Sequence, residues 1–206
     1  MQILGSILGS AEPSTDTRAA SVTTRLHLAS RALLFSLVAA AVWGVAAGIS
    51  HFGQALANVY RVPLVVLLSA VATLPGGVLA WRALSVKASA ADLLVAHARG
   101  TLHGALALAA CAPLLAIYSF TSSPKLVSVL AVVTALLALS VAGLSFVKSL
   151  LSGANANDRP RVVAVAGLCL TIQLGAMPQL IAVMSPILPV STALAGGVEG
   201  LFGGAR

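Results

Sequence analysis

The chain has 206 residues, 59% of them hydrophobic and 8% charged, where a soluble domain carries about 25% charge. So little charge cannot clothe a water-facing surface, which excludes an ordinary soluble domain and makes runs of about 20 apolar residues the natural reading. The net charge of +7 does not point to nucleic acid, because the twelve Lys and Arg are scattered between apolar runs and form no patch interleaved with aromatics.

Residues 1–31 read as a cytoplasmic N-terminal segment. Ile3, Leu4, Ile7 and Leu8 give its start an apolar side that suits the membrane surface. A signal peptide is not expected there, since the start lacks basic residues and is followed by a polar stretch. Residues 32–50 form the first span, which then acts as its own insertion signal. Within it Trp43 is expected to be a packing residue. Gly44-x-x-x-Gly48 would permit a close backbone contact with another helix.

Residues 51–61 are expected to form a short outer loop. The second span, 62–81, ends in T-L-P-G-G-V-L-A-W. Pro75 removes a backbone donor and is expected to bend the helix, while Gly76 and Gly77 leave a flat surface. The inner loop, 82–103, contains Ser89-Ala-Ala-Asp92, the acidic form of a capping box. A helix should therefore start at Ser89 and run unbroken into the third span, 104–120. Asp92, Arg99 and His103 fall near one face of it. Gly100-x-x-x-Gly104 offers a second close approach, and Pro113 a second bend.

The turn T-S-S-P-K makes the third span and the fourth, 126–147, antiparallel neighbours. The fifth span, 162–185, carries Thr171, Gln173, Gly175, Pro178 and Gln179. Amides in hydrocarbon need partners, so these are read as interhelical ties, with a substrate contact as the alternative; Pro178 gives a third bend. In residues 189–206, Leu194, Val198, Leu201 and Phe202 mark an amphipathic or frayed tail.

These runs are too long and too uniformly apolar for barrel strands, so the expected architecture is an all-α bundle of five transmembrane helices over residues 32–188. Its orientation follows from the basic residues. Arg18, Arg25, Arg31, Arg82, Lys87, Arg99, Lys148, Arg159 and Arg161 fall on one side, and Arg61, Lys125 and Arg206 on the other. The richer side is cytoplasmic, which places the N-terminus inside and the C-terminus outside.

The hydrocarbon portions of the spans hold no Asp, Glu, Lys, Arg or His, which argues against ion-coupled transport. His51, His97 and His103 are read as headgroup-zone residues, and Tyr60, Trp81 and Tyr118 as an aromatic belt. Cys111 and Cys169 are read as small buried hydrophobes. There is no Gly-x-Ser-x-Gly elbow and no metal-ligand spacing, so neither enzymatic activity nor a cofactor or metal is expected.

R-V-P-L-V-V-L-L-S-A-V-A-T-L-P in the second span, A-L-A-A-C-A-P-L-L-A-I-Y-S-F-T-S in the third and G-A-M-P-Q-L-I-A-V-M-S-P in the fifth resemble an uncharacterised bacterial family of five-span proteins. That family is in turn similar to the Yip proteins of membrane trafficking. The resemblance implies a structural role in the bacterial inner membrane and supplies no catalytic residues. The expected function is membrane-organising or adaptor, with lipid and another membrane protein, cytosolic protein or second copy as partners. The alternative is a subunit of a transporter or channel with a neutral polar pathway near the fifth span.

Overall fold

The computed structural model describes residues 22–87, 89–184 and 187. The expected amphipathic start and the tail beyond the fifth span lie outside the described residues. Those described form five α-helices: α1 Val22–Gly48, α2 Phe52–Ala83, α3 Ala90–Thr121, α4 Pro124–Gly153 and α5 Arg159–Val183, with one 3₁₀ turn, Ala156–Asp158, before α5. All five are long and apolar enough to cross a membrane.

The helices outrun the apolar stretches from which they were expected. The proposed outer loop at 51–61 is instead the first turns of α2, and the connection from α1 shrinks to Ile49, Ser50 and His51. Nothing in F-G-Q-A-L-A-N-V-Y-R stops a helix once it has nucleated, and a single Gly costs only about 1 kcal/mol. The helix α2 continues through Pro63 and Pro75, α3 through Pro113 and α5 through Pro178.

The α3 start matches expectation. The Ser89 side chain accepts from the Ala91 amide, and Asp92 accepts from the Ser89 amide at 3.1 Å, closing the capping box. At the α2 end, Ser85 has φ of +50°. Its amide donates to the Arg82 carbonyl and the Val86 amide to the Trp81 carbonyl. This is a Schellman ending, with serine where glycine is usual. Val86 packs with Trp81 in the same apolar cluster, supplying the hydrophobic contact that accompanies such endings.

Small residues line the interior. On α1 the buried positions include Ala29, Ala32, Ser36, Ala39, Trp43 and Ala46, alternating by three and four along one seam. Leu34, Val38 and Val42 face outward on the same helix. In lipid, tails are as apolar as leucine side chains, so close packing of small residues drives association rather than burial of large ones. α3 packs against α1 and α4, α1 against α2, and α2 against α5; α2 meets α3, and α4 meets α5, more lightly.

Glycine sets the closest approaches. A Cβ on Gly44 would stand 2.5 Å from the Asn58 carbonyl oxygen, and one on Gly48 would stand 2.6 Å from the Ala55 amide nitrogen. Gly100 and Gly104 meet Ala142, Phe146 and Ala138 of α4 in the same way. Both four-spaced glycine pairs are thus used inside the bundle, α1 on α2 and α3 on α4. Gly76 and Gly77 receive Ile172 and Cys169 of α5, so the glycines after Pro75 form the seat of the last helix.

Candidate functional site

Three arrangements carry polar chemistry: paired side chains in the core, the polar residues of α5, and a cavity at the end of the bundle where α1 begins.

The core pairs share one device. Thr73 donates its hydroxyl hydrogen to the Ala70 carbonyl at 2.6 Å and lies 3.0 Å from His97 Nε2. A hydroxyl has one hydrogen, so His97 Nε2 carries the proton and donates. Thr134 likewise donates to the Ala131 carbonyl and accepts from Trp43 Nε1 at 3.2 Å. Each threonine bonds back to its own helix and presents a lone pair to the next one. His97 is buried and meets the Phe146 ring edge-on at 5.3 Å. It is a core tie between α2 and α3, and the headgroup reading is corrected for it. Trp81, also buried, belongs to the core and not to an aromatic belt, whereas Tyr60 and Tyr118 are exposed. Trp43 is the packing residue expected.

His103 lies 2.6 Å from Ser145 of α4 through Nδ1, a pairing invisible in sequence because 42 residues separate the two. The cysteines are both free, Cys169 buried and Cys111 partly so.

The expected polar residues of α5 do not converge. Gln173 is buried and makes no hydrogen bond among the described residues. Thr171 is exposed and donates to the Gly167 carbonyl of its own helix. Gly175 and Gln179 are exposed and Pro178 is partly buried. A Cβ on Gly167 or Gly175 would meet nothing within 4 Å. Gly167, Thr171, Gly175 and Gln179, spaced by four, therefore share an outward stripe that no other helix among the described residues covers. Pro75 and Pro113 lie within α2 and α3 and Gly44, Gly48, Gly76 and Gly77 at helix contacts, so the predicted residues belong to packing surfaces rather than to one pocket.

The cavity, about 370 Å³, lies where the starts of α1, α3 and α5 meet the ends of α2 and α4. Its size falls within the ordinary range of ligand sites. Trp81, Leu150 and Val162 give it apolar walls; Arg25, Lys87, Asp92, Arg99 and Asp158 give it charge. Arg25 Nη1 bonds Asp92 Oδ1 at 2.8 Å, tying α1 to α3. Asp158 lies 3.6 Å from Arg161. Sequence reading placed Asp92, Arg99 and His103 near one helix face but could not see Arg25 or Asp158, which arrive from other helices. Comparison with family models, curated proteins and solved structures finds no match to this chain.

Proposed function

We propose that this chain is an architectural or adaptor protein of the bacterial inner membrane. It performs no chemistry of its own and acts through lipid and a partner helix or second copy. Its N-terminus is cytoplasmic and its C-terminus outside, by the asymmetry of basic residues. The helices bend at Pro75, Pro113 and Pro178, where each proline frees a carbonyl one turn back. This is the five-span arrangement expected of a Yip-like protein.

The carrying observation is the outward stripe Gly167, Thr171, Gly175 and Gln179. The glycine pairs of α1 and α3 are spent inside the bundle, whereas the α5 glycines face open space. Small residues at four-residue spacing let another helix approach closely, and an exposed amide supplies a bond to it. Size-exclusion chromatography with light scattering in mild detergent tests this. A defined assembly is expected for the native chain, and a smaller particle for Gly167→Leu with Gly175→Leu. A native chain that runs as a monomer without companions would count against the reading.

One observation favours the transporter alternative: Gln173, a largely buried residue of α5, makes no hydrogen bond among the described residues. If it waits for a solute, Gln173→Leu abolishes uptake into proteoliposomes. Under the adaptor reading the same change leaves assembly intact and is close to neutral, since Gln173 makes no hydrogen bond among the described residues that it would remove.

A further inference from the structure

We infer that the cavity at the α1 end is a binding site for a phosphate ester anion, held chiefly by Arg99.

The charges of the cavity reduce to an excess of donors. Both oxygens of Asp92 are engaged, Oδ1 by Arg25 and Oδ2 by the Ser89 amide. Asp158 is buried and faces Arg161. Arg99 and Lys87 line the same cavity and make no ion pair among the described residues. Two cations thus remain without an ion pair, against one other lining carboxylate, Asp158, whose Oδ1 stands 3.6 Å from Arg161.

Their positions suit an anion entering from the membrane edge. Lys87 is exposed in the loop before α3. Arg99 lies nine residues into α3, about 14 Å along its axis, and is partly buried. The two cations therefore stand at two depths. Arginine's planar fork matches phosphate oxygens two at a time, whereas lysine acts as a point charge. Ser149 and Asn155 add neutral hydrogen-bonding groups to the lining, and Trp81 and Val162 provide apolar wall near the end of the bundle. A phosphate borne on a lipid headgroup and a soluble phosphate ester carry the same anionic group for this fork to hold.

The inference deepens the adaptor reading by naming a lipid chemistry, and it rests on that reading only for the membrane setting. Association is read at Gly167 and Gly175, anion binding at Arg99, so the failure of one is distinguishable from the failure of the other.

The test is native mass spectrometry of the full chain in mild detergent, titrated in separate arms. One arm uses phosphatidylglycerol with phosphatidylcholine as control; the other uses glycerol 3-phosphate and inorganic phosphate. One phosphatidylglycerol retained per chain is expected. Arg99→Gln should weaken retention at least about tenfold, the loss of a charged hydrogen-bonding partner. Ala154→Phe, which fills the cavity and leaves every charge in place, should do the same, so the result does not depend on one variant's folding. Arg82→Gln, an exposed cation outside the cavity, should retain the native affinity. Binding in the lipid arm alone assigns a lipid headgroup; binding in both assigns the phosphate ester generally. The proposal is overturned if neither arm binds, if Arg82→Gln weakens binding as much as Arg99→Gln, or if Ala154→Phe changes nothing.

Discussion

Gly44 and Gly167 are the same residue in the same kind of helix, yet they should respond oppositely to one methyl group. At Gly44 the methyl would meet the Asn58 carbonyl oxygen at 2.5 Å, so α1 and α2 must part. Gly44→Ala should cost about 1 to 3 kcal/mol, the range for overpacking. At Gly167 the methyl meets nothing of this chain within 4 Å, so in a detergent that separates the assembly into single chains the change should gain up to about 1 kcal/mol of helix propensity. Thermal denaturation of the two variants in one detergent checks the pair; equal effects would remove the distinction. Thr134→Val is a companion test of the hydroxyl device. It keeps the shape and strands the Trp43 N–H, at an expected cost of about 0.6 to 2 kcal/mol. A cycle with Trp43→Phe, which removes the donor, should recover most of that loss. Neither partner in the Trp43–Thr134 bond stands out in sequence, because threonine and tryptophan in an apolar run are unremarkable until 91 residues of chain bring them together.

The helix ends were more legible. Ser89 and Asp92 are three apart, the spacing at which side chain and backbone satisfy each other within one turn, and the box forms as read. Such a motif needs only its own neighbours, which is why it survives into the folded chain. Ser89→Ala should cost about 1 kcal/mol, seen as lost amide protection in the first turn of α3 by hydrogen exchange. The end of α2 offered no comparable cue, since R-A-L-S-V lacks the glycine that usually takes the left-handed position. Ser85→Gly should relieve that strain and raise stability by up to about 1 kcal/mol. An unchanged or lowered midpoint would mean that the turn holds serine at no cost. The start of α2 was misread because charge and hydropathy fade before 62, whereas helix propensity does not; solvation and helix formation set different boundaries.

In the bundle as a unit alanine is the commonest buried residue, around a few large ones such as Leu93, Leu115, Val162 and Val165, while most of the exposed large apolar residues are leucine and valine. Its basic residues gather at the end where α1 begins, including Arg25, Arg82, Lys87, Lys148, Arg159 and Arg161. Single cysteines in a Cys111→Ser, Cys169→Ser background make the orientation testable. A cysteine at Ser152 should be labelled by an impermeant maleimide only after the cytoplasmic face is opened, and one at Ser122 in intact cells. Labelling of both from the same side would overturn the five-span crossing. The cavity also belongs to this level, because every helix contributes to it and no two lining charges in direct contact, Arg25 and Asp92, lie within 60 residues of one another.

What could be known before folding was the number of helices long and apolar enough to cross a membrane and the start of α3. Hydrocarbon thickness and a local cap each act on a short length of chain and leave their mark there. Which face of each helix meets protein and which meets lipid was settled only in the assembled bundle. Lipid tails and a helical core are equally apolar, so hydropathy does not separate Gly44 from Gly167, or a buried His97 from an interfacial one. Steric fit and pairing of polar groups make that separation, and both require the neighbour to be in place.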